Sequence, residues 1–288
     1  MSFSGFAWLL SKSLRGAGRA LGTGLSRTSP DSSSLRLLRD RLLHLNEAFG
    51  YFLPSLTRVV SLLVVGENSF FFRPFTDDAD KVSADYEPIV RGLLSPNTSE
   101  IIIDVGANIG RHTVWLSRRV GPSGLVIAIE PEYHNFKILD SNRQVNSLDN
   151  ILLIRAALGS QKTKGRLVVP RPSLMGQTSF KTSSPPGRGY AFHVDIETLD
   201  DLVVNHHIRT VSAIKIDVEG AELPVLQGAE KTVRKFRPRL IIEVHGDNNV
   251  QAIRHLLKAF NMVVMSEARA STRSDEQRYF ILAIPGGP

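Results

Sequence analysis

Short runs of apolar, often β-branched residues alternate with helix-period patterns from Glu100 onward. The pattern predicts strands at 101–105, 125–130, 151–155, 212–217, 240–244, 261–265 and 278–284. Helices are predicted between them at 110–120, 133–146, 198–204, 221–235 and 248–260, and Thr198 with Asp201 gives the third a capping-box-like start. Such alternation argues for a parallel sheet covered on both faces. The last two strands lack a clear intervening helix, so the sheet is expected to end in an antiparallel hairpin. The fold class is therefore α/β: a doubly wound, mostly parallel seven-stranded sheet with an antiparallel last strand. The alternation breaks between Ala156 and Asp195, where Gly165 to Val169 and Ala191 to Val194 read as extra strands. An insertion of this kind belongs on a loop, and at the C-terminal edge of a sheet it can cover a substrate.

Upstream the patterns are shorter. Ser26 to Ser34 reads as a linker, and Leu35 to Ala48 has helical spacing. Val59 to Val65 and Phe70 to Arg73 suggest a hairpin around Gly66-Glu67-Asn68-Ser69, and a short helix is expected near Glu87-Pro88. The expected division is an extension over residues 1–80, helical and hairpin-forming, and a main domain over 81–288.

Composition sharpens this only in places. Hydrophobic residues form 42% of the 288, enough for a sizeable core. The chain has no cysteine, which removes disulfides, thiolate metal sites and cysteine nucleophiles. Of the net charge of +7, Lys12, Arg15, Arg19 and Arg27 contribute +4, leaving 7 − 4 = +3 for everything after residue 30. That balance does not call for a basic nucleic-acid groove, and no nucleic-acid partner is expected. No apolar run approaches a membrane span, and the expected location is cytoplasmic. Phe3, Phe6, Ala7, Leu10, Leu14, Ala17 and Leu21 fall at helical spacing with the basic residues opposite. This suits peripheral membrane contact through residues 1–25, or an organellar presequence. It also suits a plain basic terminus, since Gly16, Gly18, Gly22 and Gly24 weaken a helix.

Candidate chemistry concentrates at strand ends. Ile101 to Val105 leads into Gly106-Ala107-Asn108-Ile109-Gly110 and then a helix. Glycine lets a cofactor lie against backbone, and the helix N-terminus favours carboxylate or phosphate oxygens. A dinucleotide fingerprint would need glycine at 106, 108 and 111, but Asn108 and Arg111 break it. Asp104 points instead to a cofactor amine or an ordered water. The second strand ends in Glu130, where a carboxylate can accept from both ribose hydroxyls. Lys215, Asp217 and Glu219 share one side if the fourth strand stays extended, and Glu243 and His245 end the fifth.

Together, "IIIDVGANIGRHT", "VIAIEP", "TLDDL", "IKIDVEGAELPVLQGA" and "RPRLIIEVHG" resemble the FkbM-type methyltransferases. These are Rossmann-like, S-adenosylmethionine-dependent enzymes most often associated with O-methylation of sugars and natural products. The resemblance covers about residues 85 to 285. It implies that Asp104, Gly106, Ala107, Asn108 and Gly110 frame the methionine portion of S-adenosylmethionine and that Glu130 holds its ribose. The third strand end, at Ala156 and Ala157, would lie beside adenine, where Arg155-Ala156-Ala157-Leu158 lacks the usual acid. Met175 to Ser179 resembles a small-residue segment of the family's central insertion, expected to line the cleft.

Methyl transfer is an in-line displacement, for which preorganisation contributes about 7–11 kcal/mol. A hydroxyl acceptor also needs a base, adding roughly 10²–10⁴-fold. Asp217, Glu219 and His245 are the candidates, with His245 the more natural base at neutral pH. No metal is assigned, although Asp217, Glu243 and Asp247 offer hard oxygen ligands for Mg²⁺. The expected reaction is methyl transfer to a hydroxyl of a sugar, glycolipid or small metabolite. One alternative, a nucleic-acid methyltransferase, fits poorly: the acids of Asp217-Val218-Glu219-Gly220 repel phosphates, and the only Pro-Pro, at 185–186, falls in a loop. A non-catalytic, membrane-associated cofactor binder is the other.

Overall fold

The computed structural model describes residues 60–73, 76–82, 86–169, 179–180, 190–245, 249–271 and 277–287. The basic stretch, the linker, the helix expected at Leu35 to Ala48, Met175 to Thr178, Pro185-Pro186 and Asp247 lie outside these residues. The described chain opens with β1 (Ser61–Val65) and β2 (Asn68–Phe72), then α1 (Asp78–Lys81) and α2 (Pro88–Leu94). Next come β3 (Ile101–Val105), α3 (Arg111–Val120), β4 (Leu125–Ile129), α4 (Tyr133–Val145) and β5 (Ile151–Ile154). The insertion holds β6 (Ala157–Leu158), β7 (Thr163–Val169), β8 (Ser179–Phe180) and β9 (Tyr190–Glu197). Then follow α5 (Leu199–Asn205), β10 (Ala213–Ile216), α6 (Glu222–Gln227), α7 (Glu230–Phe236) and β11 (Arg239–His245). The last elements are α8 (Val250–Ala259), β12 (Met262–Ser271) and β13 (Gln277–Pro285).

Seven strands form the main sheet in the order β12-β13-β11-β10-β3-β4-β5. β3, β4, β5, β10 and β11 pair in parallel, while β13 runs antiparallel between β11 and β12. The expected terminal hairpin is present, with β13 rather than β12 adjoining the parallel strands. Strand order reverses between β3 and β10, and in open α/β sheets ligands bind at the C-terminal ends of strands at such a switch point. The central strands carry near-continuous apolar runs because both faces are covered. One face packs Ile103, Val105, Ile214 and Ile216 with Leu226, Ile253 and Leu257, and the other packs Ile102, Val126 and Ile241 with Val114 and Leu116.

The β1–β2 hairpin shares that second core through the buried Val65 and Phe70. Asn142 and Asn146 of α4 dock it: Phe71 N donates to Asn142 Oδ1 (2.6 Å), and Asn146 pairs with both N and O of Ser69 (2.9 and 2.6 Å). The insertion pairs β7 with β9 antiparallel, Gly165 opposite Val194, so both expected strands are present and longer than read. β6 is too short to give a periodic signal; it pairs in parallel with β9.

Two expectations change. The helix read at 221–235 is two helices, α6 and α7, broken at Gly228. A Cβ on Gly228 would lie 2.0 Å from the Gly159 carbonyl oxygen, so a side chain there is excluded by the neighbouring loop. The fourth strand ends at Ile216 rather than reaching Asp217. Glu219 (φ 50°) and Gly220 (φ 98°) are left-handed and turn the chain back. Lys215, Asp217 and Glu219 therefore do not share a face of one extended strand.

Candidate functional site

The loop after β3 is shaped by contacts that only its sequence permits. Gly106 is left-handed (φ 78°), and a Cβ there would sit 1.8 Å from the backbone oxygen of Asp217. The glycine loop and the turn after β10 thus touch at the switch point. Gly106 N and Ala107 N both donate to Ile129 O at 3.0 Å, which ties the loop to the end of β4. Asn108 is also left-handed (φ 52°), a conformation asparagine tolerates, and its side chain accepts from Ile109 N (2.7 Å). Gly110 is the N-cap of α3.

Glu130 follows β4 and is buried. Its Oε2 accepts from Asn108 N (2.9 Å) and its Oε1 from Glu132 N (3.0 Å). Burial pushes this carboxyl up to about 7, against the backbone hydrogen bonds from Glu132 and Asn108 that favour the anion. Glu132 caps α4 by accepting from Asn135 N (2.7 Å), and Tyr190 at the start of β9 donates to its other oxygen (3.1 Å). The insertion is thereby pinned beside Glu130. Arg73 closes the back of this network, bonded to Asp78 and donating to Asn135 Oδ1 (2.6 Å). Ala156 is buried just beyond β5, while Arg155 is exposed.

Asp104 lies beneath the loop, fully buried. Thr113 Oγ1 donates to its Oδ2 (2.7 Å), and Lys215 Nζ lies 3.1 Å from its Oδ1. Lys215 also approaches Asp217 Oδ2 and Gly106 O, each at 3.4 Å. Although burial opposes its charge, the neighbouring Asp104, Asp217 and Glu87 carboxylates hold Lys215 protonated.

Across the switch point the ends of β10 and β11 carry a cage of acids around His245. Its Nδ1 lies 2.8 Å from Glu222 Oε1 on α6, which also accepts from Gly220 N (2.9 Å). Its Nε2 is 3.5 Å from Glu243, 3.6 Å from Glu219 and 4.0 Å from Asp217. Arg278 of β13 donates to Glu243 Oε1 at 2.9 Å. Burial works against the imidazolium, but the Glu222 hydrogen bond and the charges of Glu219, Asp217 and Glu243 raise His245 to about 10. At neutral pH the imidazole is held as a cation, an environment unlike the neutral one expected of a base. Burial, with the Asp217 charge, raises Glu219 to about 7 against the attraction of His245; Glu243 is pushed well above the usual range by burial and by Asp217 and Glu87. Asp217 and Glu219 keep about a fifth of their side-chain surface exposed, whereas Glu243 and Glu222 are buried.

The structure thus brings Asp217, Glu219 and His245 together, and Asp217 abuts the loop of Gly106. Sequence reading missed Glu222, Arg278, Asn135 and Tyr190, and also Glu87, which sits 2.9 Å from His112 Nε2. Of these only Glu222, inside the Asp-Val-Glu-Gly-Ala-Glu run, carried a local signal.

Residues 104–264 match the model of the methyltransferase FkbM domain. The chain belongs to the FkbM methyltransferase family. Methyltransferase 1 of Beauveria bassiana is 21% identical over 200 residues, 63% of this chain and 80% of that protein. The hexuronic acid methyltransferase AglP of Haloferax volcanii is 26% identical over 189 residues, 65% of this chain and 70% of that one. Among solved structures, methyltransferase FkbM from Methylobacillus flagellatus KT aligns with a TM-score of 0.46 at 21% identity, over 66% of this chain and 45% of that one. The FkbM domain is a methyltransferase domain whose cofactor is S-adenosylmethionine. The donor set fits that cofactor: a buried carboxylate at Glu130 for a diol, and a glycine loop that brings backbone to the switch point.

Proposed function

We propose that this FkbM domain transfers the methyl group to a hydroxyl of a sugar, glycolipid or small metabolite. The observation that carries the reading is the contact between the two halves of the site. The Gly106 loop meets the Asp217 backbone, so a cofactor on the loop lies next to the acid-lined turn. The partly exposed Asp217 and Glu219 offer hydrogen-bond acceptors to the hydroxyls of a polyol, whereas nucleic-acid binding rests on rows of Lys and Arg facing phosphates. The likeness to a protein named for methylating a hexuronic acid supports a carbohydrate acceptor.

S-adenosylmethionine supplies a sulfonium-bound methyl whose thioether leaves without needing a proton. The protein therefore has to align the acceptor and take the hydroxyl proton. In this reading Glu130 receives the ribose hydroxyls, Gly106, Ala107, Asn108 and Gly110 shape the methionine side, and Ala156 flanks the adenine. Asp104 supports the loop indirectly, through Thr113 and Lys215. Glu219, brought to about 7 and partly exposed, takes the acceptor proton, with Asp217 beside it to orient the hydroxyl. The His245 cation favours the ionised form of Glu219 before the transfer, so that the carboxylate is available to accept the proton.

The test is incubation of purified full-length protein with isotope-labelled S-adenosylmethionine and a panel of hexoses, hexuronic acids, glycolipids and transfer RNA, read by mass spectrometry. An O-methylated sugar or glycolipid is the expected product. Label on RNA alone, or none on any hydroxyl acceptor, contradicts the reading.

A further inference from the structure

We infer that Asp217, Glu243 and His245 form a binding site for one divalent transition-metal ion, of the Mn²⁺ or Zn²⁺ class, beside the glycine loop. One donor atom from each of the three residues falls within 4.8 Å of the others. His245 Nε2 and Glu243 Oε2 are buried and have no hydrogen-bond partner among the described residues. A side chain of His245 that is only 9% exposed thus aims an unpartnered nitrogen into a nest of carboxylates.

The spacing separates a metal site from a hydrogen-bonded cluster. The separations from Nε2 to Glu243 Oε1 and Asp217 Oδ1, 3.5 and 4.0 Å, exceed those of good N–H···O bonds. Oε1 is the oxygen that Arg278 engages, and Oε2 of the same carboxyl is the one without a hydrogen-bond partner among the described residues. Ligands held at about 2.1 Å from a shared ion stand roughly 3 to 4 Å from one another. The surrounding contacts prepare the site. Glu222, itself fixed by Gly220 N, engages Nδ1 and so directs Nε2 inward, the arrangement in which a carboxylate orients a metal-binding imidazole. Arg278 occupies one oxygen of Glu243 and leaves the other. A set of one imidazole and two carboxylates suits Mn²⁺ or Zn²⁺ better than Mg²⁺, which prefers oxygen and water. On binding, the ion takes the place of the Nε2 proton, which passes to solvent.

Binding of the ion stands on this geometry alone. Its use, to hold the acceptor hydroxyl and favour loss of its proton to Glu219, rests on the O-methylation reading.

The experiment titrates Mn²⁺ into chelator-treated full-length protein, following the free-ion paramagnetic resonance signal and then nitrogen coupling in the bound spectrum. One ion per chain is expected, with imidazole nitrogen coupling. Glu243→Gln and His245→Gln should each weaken binding at least tenfold, and Glu222→Gln about 10–100-fold. Glu267→Gln, which removes a surface partner of Arg254, should leave it unchanged. S-adenosylmethionine binding by each variant reports folding. No binding by the wild type at millimolar Mn²⁺, a bound spectrum without nitrogen coupling, or binding indifferent to both ligand variants overturns the site. Bound Mn²⁺ that chelation removes without changing the methylated product would overturn only its proposed use.

Discussion

The two halves of the switch point are built by different means. On the β3–β4 side the fold works largely through backbone: two left-handed glycines, two N–H groups on one carbonyl, and the buried acids Glu130 and Glu132 held by main-chain donors. On the β10–β11 side it works through side chains, with four carboxylates, an imidazolium and a guanidinium drawn from β11, β13, α6 and the turn after β10. A backbone cradle holds one ligand shape and tolerates no added atom. A side-chain cage is set by charge and can be retuned by single substitutions. The first arrangement suits an invariant cofactor, and the second suits a reacting group whose proton must move.

The largest effect should come from Gly106→Ala. Its Cβ would collide with main chain that cannot yield, in a backbone conformation alanine resists, so cofactor binding should be lost and folding yield should fall. Calorimetry on any soluble variant, alongside circular dichroism, checks this. On the other half, Glu219→Gln should leave cofactor affinity unchanged while turnover drops roughly 10²-fold or more, as expected for a lost base. Single-turnover assays with labelled cofactor separate the two quantities.

Glu130 makes a pH statement. Its folded value, about 7, lies above the ordinary carboxyl value, so the folded chain retains a proton that the unfolded chain releases. Its contribution to stability should therefore decline from about pH 4.5 to pH 7 and level off above that. Cofactor affinity should move the other way, rising several-fold from pH 6 to pH 8 as the acceptor anion forms. Both trends should vanish in Glu130→Gln. The smallest effect is expected from Tyr190→Phe, which frees one oxygen of Glu132 and costs about 1 kcal/mol, roughly fivefold in cofactor affinity if the insertion braces Glu130.

The same contrast explains what could be read from the chain. The parallel strands, the glycine loop and Glu130 are local: their periodicity, turn residues and strand-end acids stand next to one another in sequence. The cage is not. Glu222 reaches His245 across 23 positions and Arg278 reaches Glu243 across 35, so residue type revealed His245 but not the charge environment that protonates it. The break at Gly228 was hidden for a similar reason. An apolar period continues through it, and only the approach of Gly159 in space requires the missing side chain. The sequence presents Asp104 as an acid facing a cofactor amine or water, whereas in the structure it is buried beneath the loop against Lys215, a partner more than a hundred positions away that reads only as part of the next motif.

The division of labour is tested most directly by calorimetric titration of S-adenosylmethionine into the wild type, Glu130→Gln and Asp217→Asn under one condition. Binding to the wild type, at least tenfold weaker binding to Glu130→Gln and unchanged binding to Asp217→Asn is the result expected. No binding to the wild type, or equal losses in the two variants, would contradict the assignment of one half to the cofactor and the other to the reacting hydroxyl.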